Sequence, residues 1–122
     1  TLSSLLEALP KFLMTTKEIG LHVSKALTNK QYLESDSWKS VLLELTAESQ
    51  AKLESLSYTG DDYGVESKLN ELKEEYPKFE KVIIKLLVEN EDEFILDLFT
   101  TEFENMGTLS NELVEEIAKN YN

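Results

Sequence analysis

The 122-residue sequence contains no cysteine and no arginine, and it has one histidine and one tryptophan. The absence of cysteine excludes disulfides, thiolate metal sites and cysteine catalysis. The absence of arginine removes the bidentate guanidinium contacts that often hold phosphate or carboxylate groups. No apolar run approaches the ~18 residues that a membrane-spanning helix needs, so no membrane span is expected.

The four glycines and two prolines leave few places where regular structure must stop. With 41% hydrophobic and 30% charged residues, the composition is typical of a folded chain rather than a disordered one. Strand alternation and Asn-Gly or Asp-Gly hairpin turns are missing. We therefore predict an all-α fold, with residues 1–122 forming a single domain that is a compact bundle of five to seven short-to-medium helices.

The longest helix is expected to run from Asp36 to Gly60. Asp36 can cap its start, and Gly60 stands where a helix would end. Trp38 lies in the first turn, where it can anchor neighbouring helices. Thr46 could begin a new helix, so the segment is predicted to be either one long rod or two shorter helices.

Other helix ends are predicted from local signals. Ser4 and Glu7 have the spacing of a capping box, which predicts a short opening helix. Pro10 is expected to kink that helix or to begin the next one, and Pro77 is expected to interrupt a later helix. Gly107 is predicted to end the helix that starts near 90–93.

The expected core comes from apolar residues at helical spacing. Gly20, inside one of these stripes, indicates either a close contact between helices or a weak point. The predicted core residues are Trp38, Leu42, Leu45, Leu72, Ile83, Leu86, Leu98 and Phe103.

A short pattern occurs twice, as Leu-Pro-Lys-Phe at 9–12 and as Tyr-Pro-Lys-Phe at 76–79. One interpretation is a duplication that gives two pseudo-repeated helical halves. The other is chance similarity between amphipathic helices.

The segment Tyr32-Leu33-Glu34-Ser35-Asp36-Ser37-Trp38 resembles the Tyr-Leu-x-Ser-x-x-aromatic stretch of the insect allergen-related repeat family. The resemblance implies an all-helical protein that encloses apolar ligands such as fatty acids. The units here are shorter than those of the family, and its connecting segment is missing. A carrier of an apolar ligand is therefore the alternative function.

The whole chain has a net charge of −12. Its negative charge is concentrated in the second half. No basic residue lies between Lys85 and Lys119. Such a segment repels nucleic acid and anionic membranes and attracts a basic protein partner. The alternative is an acidic surface that only keeps the protein soluble.

Six acids in this segment are predicted to share an outward surface that binds the partner. They are Glu91, Asp92, Glu93, Asp97, Glu102 and Glu104.

His22 and Lys25 give a His-x-x-Lys-Ala pattern that is similar to the His-x-x-Lys-Gly centre of histidine phosphotransfer domains. Leu27 and Thr28 replace the small residues that follow the lysine in that family, and the helical segment before the histidine is too short. We therefore expect His22 to be a surface residue near Glu18.

No metal, cofactor or catalytic residue is predicted. Asp61, Asp62 and Glu66 lack the alternating acids, the placed glycine and the terminal Glu of a calcium loop. No phosphate-binding glycine loop or nucleophile elbow is present. The predicted function is a non-enzymatic protein-interaction or regulatory domain whose acidic C-terminal half binds a basic or helical partner.

Overall fold

Five α-helices follow one another in the computed structural model, which describes residues 2–121. They are α1 (Leu2–Thr28), α2 (Lys30–Glu34), α3 (Ser37–Ser55), α4 (Tyr63–Val88) and α5 (Glu93–Tyr121). Residues 2–121 contain no strand, which confirms the all-α prediction. The helix lengths were underestimated, because α1, α4 and α5 have 27, 26 and 29 residues.

The two prolines do not divide the helices that contain them. Pro10 lies inside α1 and Pro77 inside α4, and both are exposed. Proline lacks the N–H that would bond the carbonyl four residues earlier, but at an exposed position water can replace that donor. The separate opening helix is therefore wrong, and so is its capping box at Ser4 and Glu7, since α1 already begins at Leu2.

The helix predicted from Asp36 to Gly60 is shorter than expected, and α5 is the longest helix instead. Asp36 precedes α3 with a left-handed backbone (φ 59°), and its side chain makes no capping hydrogen bond. Leu56 has an extended backbone that ends α3 before Gly60.

Two further predicted helix ends are also absent. The Thr46 hydroxyl donates to the carbonyl of Leu42 at 2.7 Å, so Thr46 belongs to the interior of α3. Gly107 lies inside α5, where Ser110 donates to the carbonyl of Met106 at 2.7 Å. A helical glycine costs only about 1 kcal/mol, which a long packed helix tolerates.

One apolar core is shared by α1, α3, α4 and α5. Leu98 and Phe103 are only partly buried, so their assignment to the fully buried core is corrected. The other six predicted core residues are buried: Trp38, Leu42, Leu45, Leu72, Ile83 and Leu86.

Trp38 anchors the start of α3 as predicted. It is 1% exposed, and its Nε1 donates to the carbonyl of Leu33 at 2.9 Å. This hydrogen bond satisfies the indole N–H inside the core. The short α2 is thereby attached to α3.

Aromatic rings contact one another through the centre of the molecule. The centre of the Tyr76 ring lies 5.9 Å from the ring centre of Phe12 and 6.1 Å from that of Phe79. The ring centres of Phe79 and Phe99 are 5.8 Å apart. Phe99 stacks on Phe103 at 5.8 Å. These aromatic side chains pack against one another.

The helices pack mainly as two pairs, α1 with α3 and α4 with α5. The four-residue turn at 89–92 makes α4 and α5 antiparallel, and Lys68 pairs with Glu112 across them at 2.7 Å. Contact between α1 and α5 is less extensive, which leaves a groove between them.

The duplication of two halves stays a prediction.

Candidate protein-interaction surface

Five of the six predicted acids are exposed, at the turn between α4 and α5 and along the first half of α5. Glu91 and Asp92 lie in the turn, and Glu93 is the first residue of α5. Asp97 and Glu104 follow as exposed residues of α5. The acidic surface is defined here as Glu91, Asp92, Glu93, Asp97 and Glu104.

The members of the acidic surface have different local roles. Asp92 Oδ1 accepts a hydrogen bond from the backbone N–H of Phe94 at 2.9 Å, so this side chain caps the start of α5. Within residues 2–121, the other four acids take part in no ion pair. Their charges are therefore not balanced by lysines of this chain.

Glu102 does not belong to the acidic surface, which corrects the sequence-based prediction. It is partly buried, and its carboxyl lies in hydrogen-bonding contact with that of Glu75 on α4. This contact, together with burial, raises the pKa of the Glu102 carboxyl. The same contact lowers the pKa of Glu75, helped by Lys78 Nζ at 3.3 Å. Glu102 and Glu104 lie about 200° apart around the helix, so one faces α4 while the other faces solvent.

The groove between α1 and α5 is lined mainly by apolar side chains. One cleft of about 490 Å³ has Val23, Leu27, Leu96, Phe99 and Phe103 in its lining. A second cleft of about 320 Å³ continues it past Leu13 and Met106. Phe103 and Glu104 line both clefts, so the two clefts adjoin at these residues, and together they are called the groove.

Gly20 lets α1 and α5 approach closely at the floor of this groove. A Cβ atom at Gly20 would lie 2.6 Å from Cζ of Phe103, so the phenyl ring occupies the space of the missing side chain. Of the two interpretations of Gly20, the close contact between helices is confirmed. Gly107 is different, because a Cβ there would meet no atom within 4 Å.

The two rims of the groove differ in charge. On α5, Glu104 lines both clefts, and Asp97 and Glu93 lie seven and eleven positions earlier, on nearly the same side of the helix. On α1, Lys17 is the one charged residue among those that line the two clefts. Met14 and Leu21, two exposed apolar side chains on α1, are 64% and 68% exposed.

More apolar area is exposed where α4 meets α5. Ile84 and Val88 are 52% and 80% exposed, and Phe94 is 68% exposed. They flank the turn that carries Glu91 and Asp92. Exposed apolar side chains beside unpaired acids are suited to a partner that brings both methylene groups and positive charge.

His22 is partly buried, not the surface residue that the sequence suggested. Its Nδ1 is 2.8 Å from the hydroxyl of Tyr32, and Lys25 Nζ lies 4.4 Å from the centre of the Tyr32 ring. These contacts attach α2 to α1. Both His22 and Lys25 thus have structural partners on α2.

Among residues 2–121, no three His, Asp or Glu side chains are grouped so that they could hold a metal ion. Within the same range, no helix combines the length and the apolar character that crossing a bilayer requires.

Comparison with known proteins gives no match: no family model fits the chain, and no curated protein or solved structure is significantly similar to it. The function implied by the resemblance to insect allergen-related repeats therefore stays a prediction.

The sequence analysis did not predict the apolar lining of the groove, although α1 contains a signal for it. α1 carries Leu13 and Leu27, which line the clefts, in addition to the stripe that fills the core. A helix that packs on one neighbour does not need apolar residues so far around its circumference. This excess indicated a second apolar face.

Proposed function

We propose that this chain is a non-enzymatic protein-interaction domain whose partner has a basic surface. The observation that carries the proposal is the position of the unpaired acids beside an apolar groove. Glu104 lines that groove, and Asp97 and Glu93 extend the same acidic rim.

Folding alone does not account for this arrangement. Exposed like charges repel one another, and these acids have no lysine partner within the described chain. An apolar centre with a charged rim is the usual anatomy of a protein-binding surface. The charged rim would speed the encounter with a basic partner, and the groove would supply apolar contact.

The test begins with capture of a partner on the immobilised protein from its native host. Association rates are then measured at two salt concentrations. The variant combines Glu91→Gln, Asp97→Asn and Glu104→Gln, which leaves the capping Asp92 intact. We expect the association rate to fall about three- to tenfold at low salt and its salt dependence to flatten.

A matched control changes the same amount of charge elsewhere. Glu7, Glu18 and Glu44 are exposed residues of α1 and α3 that make no ion pair in the described chain. Their triple Gln variant should associate almost as fast as the parent protein. Equal effects of the two variants would show that only net charge matters, and the proposed surface would then be wrong.

A carrier of a fatty acid or another lipid is the second candidate. The apolar lining of the groove would suit an acyl chain, but a carboxylate head group would meet Glu104 on the rim. Aromatic rings could line a cavity or fill a core, and here the rings of Tyr76, Phe79, Phe99 and Phe103 contact one another. Native mass spectrometry of the purified protein tests this candidate, because a carrier often retains its ligand.

A further inference from the structure

The shape of the groove specifies the kind of partner more narrowly than charge alone. We infer that the groove between α1 and α5 binds one amphipathic helix, with lysine or arginine side chains of that helix along the α5 rim. This inference rests on the proposed function and adds the conformation of the partner.

The length of the groove fits a single helix. On α1 its lining extends from Leu13 to Thr28. Fifteen residues of helix rise roughly 22 Å, so a partner helix of about four turns would lie along it. Phe103 and Phe99 form part of the apolar floor against which the partner's apolar stripe would pack.

The acids of α5 define the spacing of the partner's positive charges. Glu93, Asp97 and Glu104 are separated by four and seven residues, which places them in a row along the helix. A partner helix lying alongside has nearly the same rise per residue. Its basic residues should therefore occur at positions such as i, i+4 and i+11.

Charge also argues against other occupants. A second copy of this chain would bring a further net charge of −12 to an acidic rim. A free fatty acid would bring another carboxylate, and Lys17 is the one cation that lines the clefts to receive it. A basic helix satisfies both the apolar floor and the acidic rim.

Gly107 provides a way to block the groove without disturbing the core. It lines the second cleft, and a side chain there would enter open space. Gly107→Leu should fill the cleft, and leucine is also a better helix former than glycine. Ala47→Leu is the matched control, since Ala47 is an exposed residue of α3 and does not line the groove.

The experiment selects binders from a library of random 18-residue peptides displayed on phage, with the parent protein as bait. We expect selected peptides to carry apolar residues three and four apart, with Lys or Arg in the predicted row. A synthetic copy should gain helix on binding, measured by circular dichroism. Its affinity should fall about tenfold or more for Gly107→Leu and stay unchanged for Ala47→Leu.

Each other outcome overturns the inference, and the charge variant shows whether the proposed function survives. The peptides could bind Gly107→Leu as tightly as the parent but bind the acid-neutralised variant more weakly. The proposal of a basic partner would then survive, but the proposal of a helix in the groove would be wrong. If the affinity of the peptides is the same for both variants as for the parent, both proposals would be wrong. A library that yields no binder would count against the helix. Self-association abolished by Gly107→Leu would identify a second copy as the occupant, and a retained lipid would identify a carrier.

Discussion

Glu75 on α4 and Glu102 on α5 bring their carboxyl groups into hydrogen-bonding contact across the interface between these two helices. The Oε2 atom of Glu102 is buried and receives no hydrogen bond. Two ionised carboxylates have no proton to donate, so the contact is favourable only when one of them is protonated. Asn105 Nδ2, at 3.4 Å from Glu75 Oε1, and Lys78 both favour the charged form of Glu75. The pKa of Glu102 is therefore the raised one of the pair, and Glu102 is the carboxyl that binds a proton more readily.

The first prediction concerns the pH dependence of this pair. Because the pKa of Glu102 is raised on folding, its stabilising contribution is complete below the pKa of the unfolded chain and is lost as pH rises through the folded pKa. Glu102→Gln replaces the protonated carboxyl by a permanent amide donor. The stability of this variant relative to the parent should therefore improve from pH 4 to pH 7, measured by urea unfolding at each pH.

A double-mutant cycle provides the control for this prediction. The pKa of Glu75 is lowered, so its own contribution is present at high pH and is lost as pH falls through its folded pKa. In a Glu75→Gln background, Glu102→Gln should lose its pH-dependent advantage. The same pH-dependent difference in both backgrounds would mean that the two carboxyls do not share a proton.

The helices themselves were predictable because their apolar residues recur at 3–4 spacing, whereas several of their ends were not. Proline and glycine are local signals, and their effect depends on what surrounds them in the fold. Pro10 and Pro77 are exposed, and Gly107 lies at an open cleft inside a long packed helix. Tertiary packing therefore stabilises the helices at positions where local propensity predicts an end.

The acidic surface was partly predictable, whereas the groove and the carboxyl pair were not. Charge density along the chain identified Glu91, Glu93, Asp97 and Glu104, because most charged residues lie at the surface. The orientation of Glu102 depends on where α4 lies relative to α5. Likewise, the groove forms only because α1 and α5 adjoin without packing fully, which is a relationship between distant parts of the chain.

The second prediction compares two glycines. Gly107→Ala should stabilise the protein by about 0.5–1 kcal/mol, since its Cβ enters open space and alanine favours the helix. Gly20→Ala should instead destabilise it by about 1–3 kcal/mol, because the new Cβ would displace the Phe103 ring from its stack on Phe99. Urea unfolding measures both. A Gly20→Ala variant as stable as Gly107→Ala would show that the ring can move freely.

The third prediction concerns Trp38. Trp38→Ala should cost about 3–5 kcal/mol, because it leaves a large cavity in the shared core. Trp38→Phe should cost about 1–3 kcal/mol, since it keeps an aromatic ring but removes the hydrogen bond to the carbonyl of Leu33. Equilibrium unfolding in urea gives both values. A cost below about 1 kcal/mol for the alanine variant would contradict the role of Trp38 as an anchor.

The last prediction separates binding from folding on the acidic surface. Glu91, Asp97 and Glu104 make no ion pair in the described chain, so neutralising all three should change the free energy of unfolding by less than about 0.5 kcal/mol. Glu93 was kept out of this variant because it lies in the first turn of α5. Its charge interacts favourably with the helix dipole, so Glu93→Gln alone should cost about 0.3–1 kcal/mol at low salt.

Thermal and urea unfolding at low and high salt distinguish these two effects. The cost of Glu93→Gln should shrink at high salt, whereas the triple variant should remain as stable as the parent at both salt concentrations. If the triple variant instead lost more than about 1 kcal/mol, these acids would be stabilising the folded chain. Their position beside the groove would then have a structural explanation, and the reason to assign them to a binding surface would disappear.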